Sequence, residues 1–319
     1  MDMIAADNID RIMNIEMRRR GLPRGNKWPM FQMARDAAGG SLVAGAAKLL
    51  NRDKPTRFLI LTGAAVPDFM PVGENDGPIG TVVLARALTM LGHTVDVLTD
   101  PVCAPPVDGL ARYLNVPLKT IPVGLDDKAL QDRMVDEHDM FISIERLGGN
   151  INGFLHGVNG VRRDHHRANL DHVFNRARAE GKSTFSIGDG GNEMGFGNLY
   201  ERVNAELPDH AFKHVTPCGG GVFSVVKSDL LLVANSSNIG AYAAAAGLGL
   251  ATGRVDLCHT AESDIELAHV GVGLGLVDGA NGAGRAWCDG IPPAANAAVV
   301  EIMRNIVERS LEAEYVRKF

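Results

Sequence analysis

Thr184-Phe185-Ser186-Ile187-Gly188-Asp189-Gly190-Gly191-Asn192-Glu193-Met194-Gly195-Phe196-Gly197-Asn198 is a short apolar run that ends abruptly in five glycines, with acidic and amide side chains between them. The run reads as a buried strand. The glycines let the following loop turn sharply and bring backbone amides and short carboxylates close to a ligand, because no Cβ restricts φ and ψ. A plain polar turn would not need the density of acidic and amide side chains that Asp189, Asn192 and Glu193 bring to one loop. The stretch therefore reads as one end of a metal or polar-ligand site.

Outward from this loop the chain alternates short apolar runs with helical patterns. Strands are expected at Phe58–Gly63, Thr94–Thr99, Leu118–Pro122, Met140–Ile144 and Leu230–Ala234,. Helices are expected at Gly80–Leu91, Asp126–Glu137, Leu170–Ala179, Ile239–Thr252 (capped by Asn238), Ala261–Leu274 and Ala294–Val316,. Val222–Val226 reads as a further short strand. Residues 1–50 read as a helical segment interrupted by a loop at Pro23–Pro29, and the whole of 1–319 as one domain. Such alternation implies an α/β fold: a largely parallel, Rossmann-like, multi-layer sheet with helices on both faces.

In sheets of this kind ligands lie beyond the carboxyl ends of the strands. Four strand ends here run into loops with acidic or amide side chains: Glu74 and Asp76; Glu145 and Arg146; Asp189, Asn192 and Glu193; and Asn235 to Asn238. Val277-Asp278-Gly279 adds another acidic glycine turn. Carboxylate and amide oxygens in this number suit a hard divalent cation. Separate helix caps are the plainer alternative, but Glu is a weak cap, and Glu74, Glu145 and Glu193 favour a site. Arg146 and Arg162 could clamp a substrate carboxylate or form structural ion pairs.

Composition narrows the possibilities. A net charge of −6 with no basic stripe argues against nucleic-acid binding,. The short run Arg18-Arg19-Arg20, with Arg24 and Lys27, reads as a solvated helix end. No stretch approaches the roughly 20 apolar residues of a membrane helix. Four widely spaced cysteines suggest reduced structural thiols, and the expected location is cytoplasmic,. Gly188-Asp189-Gly190-Gly191-Asn192-Glu193 is a poor dinucleotide fingerprint, since Glu193 stands where the third glycine belongs and would repel a pyrophosphate. No nucleotide cofactor is expected.

Five blocks together resemble the C-terminal domain of the D-glutamate cyclase family: Glu74-Asn75-Asp76-Gly77-Pro78-Ile79-Gly80, Ser143-Ile144-Glu145-Arg146-Leu147-Gly148, Ile187–Gly195, Ser237-Asn238-Ile239-Gly240-Ala241-Tyr242 and Val277-Asp278-Gly279. The family pattern usually has Thr at Asn75, Pro at Ile79 and Leu147, and Trp at Ile239, departures expected to alter the pocket walls. The resemblance implies a hydro-lyase converting D-glutamate, or a related acidic amino acid, to 5-oxo-D-proline and water. On that basis Glu74, Asp76, Asp189 and Glu193, with Asp278, are candidate ligands for manganese or magnesium. Glu145 is the candidate base, with Asp189 and Glu193 also catalytic. Arg146 or Arg162 would hold the α-carboxylate, and Asn192 and Asn238 would orient the substrate. A metal-dependent phosphatase and a non-catalytic small-molecule-binding protein are the alternatives, and a homo-oligomer is left open.

Overall fold

The computed structural model describes residues 1–18, 25–207 and 215–312. Three helices come first: α1 (Met3–Ile12), α2 (Lys27–Ala38) and α3 (Leu42–Leu50). The central alternation is β1 (Arg57–Leu61), α4 (Pro78–Met90), β2 (Thr94–Thr99), α5 (Ala104–Tyr113), β3 (Leu118–Pro122), α6 (Lys128–Glu137), β4 (Met140–Ile144), α7 (Asp171–Ala179), β5 (Ser183–Gly188), α8 (Tyr200–Glu206) and β6 (Leu230–Val233). It closes with α9 (Ser237–Thr252), α10 (Ala261–Gly273) and α11 (Pro293–Leu311).

The strands form one parallel sheet in the order β3-β2-β1-β4-β5-β6. Alternate side chains of β1 separate two cores. Phe58 and Ile60 join a large cluster with α1, α3, α4 and α9, whereas Leu59 and Leu61 join a smaller one with Leu130 and Met134 of α6 and Phe174 of α7. This period-two split is what a strand buried on both faces requires. On the larger side α3 and α4 pack on α9, and α11 packs outside α9. Helix α9 is therefore buried nearly all round. Its small residues make that possible: a Cβ on Gly240 would lie 2.5 Å from Ile187 Cγ2, and one on Gly247 would lie 2.9 Å from Val43 Cγ1.

Three local expectations need correction. Helix α2 already begins at Lys27, so Pro29 stands in its first turn, where a missing N–H costs no helical bond,. Ser236, not Asn238, caps α9, its Oγ accepting from Ile239 N at 3.3 Å. Val222–Val226 forms no strand and runs as irregular chain beside the glycine loop. Helix α5 occupies a stretch for which no element was expected; Pro105 and Pro106 both fall in its first turn, where proline is tolerated,. The expected end of α11 at Val316 lies outside the described residues.

Order β3-β2-β1-β4-β5-β6 reverses direction between β1 and β4, and the crevice at that switch point is where open α/β sheets bind ligands,. Among the described residues no helix is long and apolar enough to cross a membrane. Cys103, Cys258 and Cys288 are buried free thiols, and Cys218 is partly exposed.

Candidate active site

The loop after β1, the ends of β4 and β5 and the start of α9 meet at one edge of the sheet. Asp76, Glu145 and Asp189 each bring a carboxylate oxygen within 4.8 Å of the others. Asp76 is held by the N-terminus of α9, accepting from Ser237 N at 3.0 Å and from Asn238 N at 2.7 Å. Free amides at a helix start favour such a carboxylate. Glu145, the first residue beyond β4, sits at φ 54°. Left-handed backbone is uncommon outside glycine and tends to persist where surrounding structure enforces it. Here Gly77 lies against it: a Cβ on Gly77 would come 2.7 Å from Glu145 Cβ. Ser237 Oγ donates to Glu145 Oε2 at 2.6 Å.

Glu145 and Asp189 line a cavity of about 800 Å³ together with Glu74 and Asn192, while Asp76 stands behind them at the start of α9 and is not part of its wall. Glu74 packs its carboxylate against Gly279, where a Cβ would overlap Oε2. Burial and the neighbouring Asp76 push Glu74 up to about 8. Burial, then Glu193 and Asp189, raise Glu145 well above the carboxylate range. Asp189 moves the other way: burial raises it, but Arg18 and Lys27 beside it outweigh that and lower it. Neighbouring carboxylates shifted in opposite directions are the pattern of a site that separates acid and base roles,.

Not every sequence candidate faces this cavity. Glu193 folds back on its own loop, accepting from Asp189 N at 3.0 Å, Gly190 N at 2.8 Å and Gly191 N at 2.8 Å. Asp278 accepts from Arg285 Nη2 at 2.6 Å and Gly290 N at 2.7 Å. Neither belongs to the carboxylate cluster. Asn238 Oδ1 accepts from Gly77 N at 2.9 Å and Gly80 N at 2.7 Å, so its amide fixes the Asp76 loop. Arg146 is fully buried and bridges Asp100, Thr62 O (3.1 Å) and Ala168 O (2.6 Å). It forms the structural ion pair that its sequence reading allowed. Arg162 is half-exposed, bound to Asp164 at 2.8 Å and stacked on Phe154. Neither arginine lines the cavity.

Arg163 and Arg167 line it instead, from the long polar loop after β4. Arg167 is buried, its Nε donating to Ala65 O at 2.7 Å; burial lowers it to about 10 although Glu74 pulls the other way. Arg18 and Lys27 also reach the cavity, which corrects their reading as a solvated helix end. Lys27 is buried, with Nζ 2.6 Å from Asp189 Oδ2, and Arg18 pairs with Asp189 and Asp289. The uncompensated carboxylates supply the reason, since an ion pair offsets part of the desolvation cost that solvent exposure would have avoided. Arg19, Arg20 and Arg24 lie outside the described residues. Of the positions that depart from the family pattern, only Leu147 lines the cavity; Ile79 and Ile239 belong to the core, and Asn75 binds Arg285 O and Trp287 O.

Residues 30–304 match the family model described as D-glutamate cyclase-like, C-terminal. Human mitochondrial D-glutamate cyclase is 26% identical over 246 residues, covering 72% of this chain and 37% of that protein. The chain thus spans little more than a third of that relative's length. Among solved structures, an NADH-dependent reductase complexed with NAD overlaps 53% of this chain and 74% of its own, at 19% identity and a TM-score of 0.25. Escherichia coli tRNA N6-threonylcarbamoyladenosine dehydratase in complex with AMP overlaps 75% of this chain and 99% of its own, at 10% identity and a TM-score of 0.31. Both overlaps are too loose to bear on the site. The sequence match over residues 30–304 is enough to say that this chain belongs to the D-glutamate cyclase-like, C-terminal family.

Proposed function

We propose that this chain is a hydro-lyase that cyclises D-glutamate, or a closely related acidic amino acid, to 5-oxo-D-proline with release of water. The observation that carries the reading is the meeting of Asp76, Glu145 and Asp189 at a cavity that Glu145, Asp189, Arg163 and Arg167 line. The cavity wall thus offers carboxylates for an ammonium group and guanidinium groups for carboxylates, which are the groups glutamate presents,. Arg163 and Arg167 take the clamping role first read for Arg146 and Arg162, and Asn192 remains in reach to orient the substrate.

The reaction needs a neutral α-amine, an electrophilic γ-carboxyl carbon and a leaving oxygen. Of the three ammonium hydrogens, one stays on the lactam nitrogen and two depart with the γ-oxygen as water. Glu74 lines the cavity outside the three-carboxylate cluster, so we assign it the proton transfer first read for Glu145; its pKa of about 8 suits a base near neutrality,. The cluster's donors are all carboxylate oxygens and fit a hard divalent cation, manganese or magnesium, which Asp76, Glu145 and Asp189 would hold,. Such an ion supplies Lewis-acid polarisation of the γ-carboxylate when bound.

The test is incubation of the purified protein with D-glutamate, with manganese, with magnesium and with chelator, following 5-oxo-D-proline by chiral chromatography. Product is expected, and Glu74→Gln should reduce its rate by about a hundredfold or more. A melting shift with D-glutamate and no product would favour the binding-protein alternative instead. The phosphatase alternative draws no support from either sequence comparison.

A further inference from the structure

Two unit positive charges converge on one carboxylate oxygen of the acidic cluster. Lys27 Nζ lies 2.6 Å from Asp189 Oδ2, and Arg18 Nη2 pairs with the same oxygen. Both also donate to Asn235 O, at the end of β6. Arg18 feels Asp76 and Glu145 as well as Asp189, so the whole cluster attracts it. Like charges so close repel each other, and Lys27 is lowered first by burial and next by Arg18. Asn235 O, the cluster carboxylates and Asp289, which also pairs with Arg18, together make the two cations tolerable.

The fold places these two residues deliberately near β6. Asn14 Nδ2 donates to Val233 O at 3.2 Å, Asn235 N donates to Met13 O at 2.9 Å, and α2 packs on β6. The chain is thus pinned beside the strand end before Arg18 and again from Lys27 onward. Both residues precede the stretch that matches the family model.

We propose that Arg18 and Lys27 form a built-in counter-ion pair that occupies the electrostatic place of a divalent cation, and that a metal ion binds the cluster only in competition with them for Asp189. Two unit charges on Asp189 Oδ2 equal the charge of one divalent ion, and a carboxylate oxygen so engaged has little left to offer a metal. This rests on the metal-assisted reading for its interest, but not for its test. A metal must displace Arg18 first, since that side chain is the more exposed of the two, at 15% against 4% for Lys27. Metal affinity is then tuned by the segment ahead of the family-matched region.

The experiment is calorimetric titration of the full chain with manganese alone, at low ionic strength. Arg18→Met and Lys27→Met are each expected to bind manganese at least about tenfold more tightly than the parent protein. Adding Asp189→Asn to Arg18→Met should remove that gain. Equal or weaker binding by Arg18→Met would overturn the proposal, as would a gain that survives Asp189→Asn. Lys27 is buried, so its variant is judged only if circular dichroism shows it folded; Arg18→Met decides the matter alone if it is not. Metal binding as expected without any 5-oxo-D-proline formation would overturn the functional reading and leave this one standing.

Discussion

Glu193 shows how a residue's chemistry depends on where its chain turns. Read along the sequence it belongs with the metal ligands, because it is an acid in a glycine loop. In the fold its two oxygens accept three consecutive amides, Asp189, Gly190 and Gly191, and it is fully buried. Its work is to hold Asp189 at the cluster. Glu193→Ala would leave three buried N–H groups without their acceptor, and we expect a loss of at least about 2 kcal/mol in urea unfolding. Glu193→Gln, which retains one carbonyl oxygen, should lose less. Unchanged stability in Glu193→Ala would mean that the loop is held by other contacts. Arg167 and Lys27 are the reverse case: nothing in their local sequence marks them as pocket residues, and only packing reveals them.

At the scale of elements, α9 ties the site to the core. Its first turn presents amides to Asp76, its Asn238 side chain fixes Gly77 and Gly80, and its buried length needs Gly240 to approach β5. Gly240→Ala would set a methyl 2.5 Å from Ile187 Cγ2 and 3.0 Å from Leu232 Cδ2. The gain in helix propensity is under about 1 kcal/mol and is outweighed by overpacking, which costs about 1–3 kcal/mol. A lower midpoint in thermal or urea unfolding is expected, and a rise would show that the helix can shift outward. The alanine and glycine run made this helix legible in the sequence, since only a tightly enclosed helix needs so many small side chains. The cap was misplaced by two residues because Ser236 and Asn238 are both good caps, and the choice depends on which one the Gly77–Gly80 loop requires.

For the molecule as a whole, the buried acids set the pH dependence of stability. Burial, then Asp76 for Glu74 and Asp189 for Glu193, push the two glutamates up to about 8 and about 7 from a reference value of 4.5. Between the reference value and those values the folded protein binds more protons than the unfolded chain. The stability they contribute is therefore complete below the reference value and is lost as pH rises through 7 and 8. Metal-free protein should melt at a lower temperature at pH 9 than at pH 6. Glu74→Gln should flatten that slope by up to about 1.4 kcal/mol per pH unit. An identical slope in the variant would mean that Glu74 ionises freely in the folded state.

Local chemistry alone determined much of this protein. Apolar runs of strand length, alternating with helical spacing, decided the parallel α/β sheet, because backbone pairing and two-sided burial leave few other ways to fold such a pattern,. Strand ends in glycine and acid then marked the edge of the sheet where Glu74, Asp76, Glu145 and Asp189 gather. Tertiary structure decided which polar groups face the cavity and which satisfy the chain itself. Asp189 faces its partners while Glu193 turns to backbone amides, and Arg146 is spent on Asp100 while Arg167 reaches the cavity. It also carried Arg18 and Lys27 across from the first helices to Asp189. The physical reason is common to all of these: a buried charge must find a partner, and the partner's distance along the chain leaves no trace in the sequence.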